Sequence, residues 1–312
     1  MSVIETHDLT KTFDTFKAVD GLTIEVKEGE IYGFLGPNGS GKTTVIKMLC
    51  GLLIPSGGKA SVLGFDTVKD GEAIRQNVGY MSQKFSLYED LTVFENMHFY
   101  GSIYGLIPDV LEKRIDFLLE KLNLVLYKER LAGNLSGGWK QRLAFACAII
   151  HEPKVLFLDE PTAGIDPVAR RELWDIFFEY AANGITFFVT THYMDEAERC
   201  GSLGYIYRGK LIANGTLLEL RNHPSVKVDG YIRMEINATP IAKALEILKK
   251  CDFMQEATIF GRGVHVLCQR EVKKEQIVAL LEKSGVVCEE IREIESSLED
   301  VFVALTKKEN EQ

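Results

Sequence analysis

The chain has 312 residues, 46% of them apolar, and a formal net charge of −9 at pH 7. This suffices for one large core and a second, smaller domain, while no apolar run approaches the ~20 residues a membrane-spanning helix needs. The acidic balance argues against nucleic acid as a general partner, because a phosphate backbone calls for a basic face.

The start, Met1-Ser2-Val3-Ile4-Glu5, lacks the basic opening and long apolar stretch of a secretory signal. Val3 to Thr10 and Leu22 to Val26 read as strands of a small β-rich lobe. Ile31 to Leu35 reads as a buried strand and Val45 to Cys50 as a helix ending at Gly51. Between them, Gly36-Pro37-Asn38-Gly39-Ser40-Gly41-Lys42-Thr43-Thr44 fits G-x-x-x-x-G-K-[ST] in its proper strand–loop–helix setting. Glycines let the backbone wrap a polyphosphate and aim N–H groups inward. The helix N-terminus adds partial positive charge, Lys42 a full one, and Thr43 a hydroxyl for Mg²⁺. The chain is therefore expected to bind a nucleoside triphosphate.

A strand follows at Val78 to Met81, and from Thr92 to Leu131 helical spacing takes over, broken at Gly105 to Pro108. Leu135-Ser136-Gly137-Gly138-Trp139 opens a helix over Gly137 to Ile150, with Ser136 as N-cap. Two glycines leave that N-terminus uncrowded, a second place for an anion. Val155 to Leu158 is an apolar strand ending in Asp159 and Glu160. An aspartate there orients Mg²⁺ in phosphate-loop enzymes, and its neighbour can polarise the attacking water. A helix over Val168 to Tyr180 separates this strand from those at Ile185 to Thr190 and Leu203 to Tyr207.

Beyond Pro224 the order is strand (Val228–Ile236), helix (Pro240–Leu248), two strands about Gly261-Arg262-Gly263, helix (Val272–Leu281) and strand (Val286–Ile294). That β-α-β-β-α-β order is ferredoxin-like. A last helix opens with the capping-box pattern Ser296-Ser297-Leu298-Glu299. The expected organisation is an α/β domain over 1–225 with a helical subdomain at about 84–150, an α+β domain over 226–306, and a frayed charged tail over 307–312. Six scattered cysteines without a C-x-x-C pair read as reduced, buried thiols of a cytoplasmic protein.

These ordered motifs, with Gln83 after a strand, Ala163-Gly164-Ile165-Asp166 and His192, make the first 220 or so residues similar to the ATP-binding subunits of ABC transporters. The resemblance implies the ABC ATPase fold, a phosphate-loop core with a β lobe and helical insert. Phe13 would stack on adenine, where tyrosine is usual, and Gly36 to Thr44 would hold the phosphates. Thr43, Gln83 and Asp159 would face Mg²⁺, Glu160 would be the general base, and His192 would contact the γ-phosphate. Asp166 would lie in a loop crossing to another subunit. Ser136, Gly137 and Gly138 would bind nucleotide across a head-to-tail dimer, of identical or related chains. Trp139 departs from the family's glutamine and bears on nucleotide-edge contacts.

The resemblance also implies a peripheral subunit on the cytoplasmic membrane face. It would power a separate permease docked near Phe85-Ser86-Leu87-Tyr88 and Phe94. The C-terminal part, with its ending Ser297 to Phe302, looks like that of bacterial drug-export ATPases, which makes export the favoured direction. The competing reading is a soluble ATPase of the same superfamily acting on ribosomes or nucleic acid.

Overall fold

The strand Ile31–Leu35, buried at every position, is central to the sheet that carries the phosphate loop. The protein is described by a computed structural model over residues 1–83 and 87–311. It divides into two units, Met1–Thr216 and Leu217–Gln312. The helix Leu217–Arg221 thus belongs to the second unit, earlier than a division at 225. Leu220 is buried, and Arg221 pairs with Glu295 at 3.1 Å within that unit.

In the first unit, the sheet order among the described residues is Lys210–Gly215, Ser202–Tyr207, Ile31–Leu35, Thr186–Thr191, Val155–Asp159, Val78–Met81. All neighbours are parallel except the edge pair of Lys210–Gly215 with Ser202–Tyr207. Parallel strands covered on both faces read as continuous apolar runs, which is why their patterns were legible. Tyr32, Phe34 and Phe157 pack their rings on Phe188 of the neighbouring strand between them, with Phe34 and Phe188 centroids 5.2 Å apart. The register aligns the strand ends: Leu35 lies opposite Thr191, Asp159 opposite Thr190 and Met81 opposite Leu158. Four carboxyl ends therefore open on one edge, where ligands of such sheets bind.

The β lobe is an antiparallel sheet built on Ser2–Phe13. The expected strand from Leu22 to Val26 is instead interrupted between Phe16–Leu22 and Glu25–Lys27. The buried Thr6 hydroxyl is responsible: it donates to Leu22 O and accepts from Ile24 N, both at 2.9 Å. The hydroxyl occupies those two backbone groups, while Thr6 N still donates to Ile24 O at 2.9 Å. The helical insert holds Val93–Ile103 and Pro108–Lys121, the first opened by a Thr92–Glu95 capping box. Asn96, fully buried, ties down the approach to this helix through Tyr88 N, Tyr88 O, Leu91 O and Thr92 O.

In the second unit a four-stranded antiparallel sheet runs Met254–Phe260, Gly263–Gln269, Tyr231–Thr239, Val287–Glu293. Its apolar residues pack with Ala244, Leu248, Ile277 and Leu281 of the helices Ile241–Leu248 and Lys274–Lys283. The final helix, Leu298–Glu311, corrects two expectations. Ser297 and Asp300, not Ser296 and Glu299, make the reciprocal capping bonds: Ser297 N donates to Asp300 Oδ2 (2.9 Å) and Asp300 N to Ser297 Oγ (3.1 Å). Asp300 is preferred because Arg233, buried in the sheet, demands a carboxylate at that point, 2.9 Å away. Nor does the charged tail fray at 307, since the helix continues to Glu311 and Lys307 pairs with Glu256.

Candidate functional site

The phosphate loop is built by glycines that have no alternative. A Cβ on Gly36 would lie 2.3 Å from Ile206 O and 2.6 Å from Ser40 Oγ. Gly41, which precedes the helix Lys42–Leu49, sits at φ +112°, where a Cβ would lie 2.4 Å from Ala18 O. The Lys42 ammonium, buried at 5% exposure, donates to Gly36 O at 2.8 Å and Pro37 O at 3.2 Å. Ser40 Oγ is buried without a hydrogen-bond partner, an orphan hydroxyl inside an anion cradle.

Asp159 is 1% exposed, and each carboxylate oxygen accepts a hydroxyl at 2.6 Å, one from Thr43 and one from Thr190. Thr190 also steadies the next residue, because its hydroxyl accepts from Glu160 N at 3.0 Å. Glu160 adopts φ +52°, a left-handed conformation unusual for a non-glycine residue. Such strain persists where the surroundings over-determine it. Its carboxylate lies 3.2 Å from Lys42 Nζ, accepts from Gln83 Nε2 at 3.1 Å, and lies 3.3 Å from His192 Nδ1. A lysine from the helix after the phosphate loop, a glutamine and a histidine thus converge on one carboxylate. That group can take a proton from a water, and the lysine can neutralise a terminal phosphate.

Thr43 and Asp159 present the hard oxygens that suit Mg²⁺, which keeps much of its water and completes its shell with substrate phosphates. Among the described residues no group of three His, Cys, Asp or Glu side chains forms an all-protein metal cage. The six cysteines are free thiols, and burial pushes those of Cys50, Cys147 and Cys200 far up.

The phosphate loop, Gln83 and Glu160 line a cavity of about 280 Å³ together with Phe13, Phe16 and Ala18. Phe13 and Phe16 face each other across the hairpin turn at Asp14 and Thr15. Phe16 and Thr190 were missed in the sequence. The aromatic pair spanning a tight turn was the available signal for the first; nothing local marks the second.

The remaining candidates lie elsewhere. Ser136, Gly137 and Gly138 are not among the residues lining this cavity. Ser136 has N-cap backbone angles for the helix Gly137–Ile149, but its exposed side chain makes no capping bond. Gly138 allows close packing on the helix Pro167–Ala182, where a Cβ would come 3.0 Å from Ala169 Cβ. Trp139 packs into the insert, 4.5 Å from the Tyr127 ring and under Arg142. Asp166 caps its own helix, accepting from Val168 N and Ala169 N at 3.0 Å. Those bonds hold its carboxyl below the usual range.

Of the proposed docking residues, Phe85 and Ser86 lie outside the described residues. Leu87 is buried and so is no surface contact, whereas Tyr88 is exposed. A further groove of about 480 Å³ is lined by Leu52, Tyr80, Tyr100, Ile103 and Tyr104. Among the described residues no helix is long and apolar enough to cross a membrane.

Comparison with known proteins agrees with this geometry. Residues 19–163 match the family model described as ABC transporter. The chain is 49% identical over 220 residues to "Probable multidrug ABC transporter ATP-binding protein YbhF" of Escherichia coli, covering 70% of this chain but only 38% of YbhF. It is 34% identical over 307 residues to "Daunorubicin/doxorubicin resistance ATP-binding protein DrrA" of Streptomyces peucetius, covering 97% of this chain and 92% of DrrA. A solved structure titled "Structure of ATP binding subunit of ABC transporter" superposes with TM-score 0.66 at 31% identity over 72% of this chain and 95% of its own. With DrrA matched along nearly its whole length and the family model matched around the phosphate loop, this chain belongs to the ATP-binding subunits of ABC transporters, and ATP is its nucleotide.

Proposed function

We propose that this chain hydrolyses ATP to drive export of a substrate through a separate membrane permease, as a peripheral subunit on the cytoplasmic face. The observation that carries this reading is the meeting of Lys42, Gln83 and His192 on the Glu160 carboxylate, beside a cradle that Ser136 to Gly138 do not line. A catalytic half-site and an unused anion site on one chain are completed by a second copy, or a related subunit, facing it head to tail. Phe13 stacks on the base, Gly36 to Thr44 hold the phosphates, and Thr43, Asp159 and Gln83 would hold Mg²⁺. When bound, that ion neutralises phosphate charge. Glu160 orients and deprotonates the attacking water, Lys42 stabilises the charge that develops on the γ-phosphate, and His192 holds the same phosphate.

Pairing then follows occupancy, since a bridging triphosphate favours the closed dimer and hydrolysis releases it. Export is supported by the name of a further relative, "Nod factor export ATP-binding protein I" of Neorhizobium galegae, 34% identical over 313 residues. The groove at Leu52, Ile103 and Tyr104 suits a short permease helix. We read the second unit as a ferredoxin-like accessory domain that stabilises the dimer or regulates it.

The test uses Glu160→Gln. With Mg·ATP its turnover falls by a factor of about 10²–10⁴, the usual worth of a general base, and light scattering detects a dimer. Normal turnover, or a monomer both alone and with the membrane complex, would falsify the scheme. Pull-down from detergent-solubilised membranes should recover a permease; ribosomal particles in its place would redirect the reading.

A further inference from the structure

Glu196 is a carboxylate with no solvent exposure, on the short helix Met194–Ala197 that follows His192. Its two oxygens reach two separate segments of the nucleotide site. Oε1 accepts from the Thr162 hydroxyl, just beyond Glu160, and Oε2 accepts at 2.7 Å from the Thr191 hydroxyl, just before His192. Both threonines are 1% exposed. Arg170, on the helix capped by Asp166, brings Nε to 3.4 Å from Oε1 and lays its guanidinium 4.1 Å over the Tyr193 ring. A carboxylate this deep survives only with full compensation, here two hydroxyls and a cation. Hydrophobic packing could fill the same volume at lower cost, so the ionic arrangement calls for a reason.

Its connections supply one. Thr162 leads into Ala163-Gly164-Ile165-Asp166, a segment already anchored by Ala163 N to Glu160 O at 3.1 Å and by the Asp166 cap. Thr191 adjoins His192, whose ring lies against Glu160. Glu196 itself does not line the nucleotide cavity. We infer that Glu196 is a positioning residue that fixes the spacing between His192 and the loop Ala163–Asp166, so that the phosphate contact and the partner-facing loop move as one body. This rests on the dimer reading under Proposed function. It goes further by assigning the link to one carboxylate and its two hydroxyl donors. Turnover and ATP-driven pairing depend on it, whereas the affinity of a single chain for ATP does not.

The test compares Glu196→Gln, Thr162→Val, Thr191→Val, the double valine variant and Thr162→Ser in the full chain. Expected is a fall in kcat of roughly tenfold or more for the glutamine and valine variants, as for other small misplacements of catalytic groups. KM for Mg·ATP should stay within about threefold, since uniform binding is untouched. The double valine variant should be no worse than the poorer single one, because both remove one shared clamp. Thr162→Ser, which keeps the hydroxyl, should restore kcat. In a Glu160→Gln background, Glu196→Gln should lower the ATP-dependent dimer fraction.

Folded variants with unchanged kcat, or valine effects that simply multiply, would overturn the inference. So would failure of Thr162→Ser to restore activity. Should Glu196→Gln not fold, the single threonine variants carry the same test. If Glu160→Gln alone stays monomeric, the dimer reading fails instead; if it pairs while the Glu196 and threonine variants turn over normally, only the positioning role is lost.

Discussion

Asp300→Ala offers a quantitative test of what holds the second unit together. The Asp300 carboxylate receives Arg233 Nη1 at 2.9 Å, Ser297 N at 2.9 Å and Ser297 Oγ at 2.8 Å, with His265 Nδ1 at 3.8 Å. Arg233 and Asp300 are 5% and 7% exposed, and after truncation the guanidinium keeps Glu256 alone among the described residues, at 3.5 Å. Stranding one member of a buried pair costs about 3–5 kcal/mol. Losing the reciprocal cap adds about 1 kcal/mol. The second-unit transition should therefore fall by some 4–6 kcal/mol, equivalent to ~20 °C or more in a domain of this size.

Calorimetry and far-UV circular dichroism report that transition. Both tryptophans, Trp139 and Trp174, lie in the first unit, so their fluorescence serves as an internal control. Replacing both partners, as Arg233→Met with Asp300→Leu, should recover most of the loss, because an apolar pair avoids the desolvation cost. A drop below about 1 kcal/mol for Asp300→Ala, or a double variant as unstable as the single, would refute the reasoning.

The other predictions concern the first unit. Phe13→Ala should weaken ATP binding by about 3–10-fold, a stacking contribution of roughly 0.5–1.5 kcal/mol, with little change for inorganic triphosphate. Equal losses for both ligands, read by calorimetric titration, would contradict stacking. His151 is stacked on Tyr104 at 3.5 Å with one ring nitrogen 3.1 Å from Val78 O. Burial lowers its pKa to about 4. A histidine depressed on folding binds fewer protons than in the unfolded chain. Its contribution is complete above the unfolded value near 6.5 and is lost as pH falls from there through 4, by about 3 kcal/mol in all. His151→Phe should flatten that loss when urea unfolding is followed by tryptophan fluorescence at pH 7 and pH 5, and an unchanged slope would rule the histidine out.

Local chemistry made most of the strands and helices readable, along with most of the residues that gather about the phosphate loop and Glu160. Glycines at forced backbone angles, a lysine after them, and apolar runs ending in acids are short-range facts, and each keeps its meaning wherever the chain folds. The sheet register then turned a list into a site. Thr43 meets Asp159 across 116 residues of chain, and Gln83 meets Glu160 across 77. No spacing rule connects such partners.

The misreadings share a cause. Leu22 to Val26 alternates like a strand, but a buried threonine hydroxyl from another strand intercepts its backbone bonds. Glu299 fits the capping box on spacing, yet Asp300 wins it because a buried arginine lies on its side of the helix. The sequence by itself determined which chemistry the chain carries, since backbone conformation and charge are set within a few residues. Only the tertiary structure decided who partners whom, because burial makes a polar group's choice depend on neighbours far away in sequence.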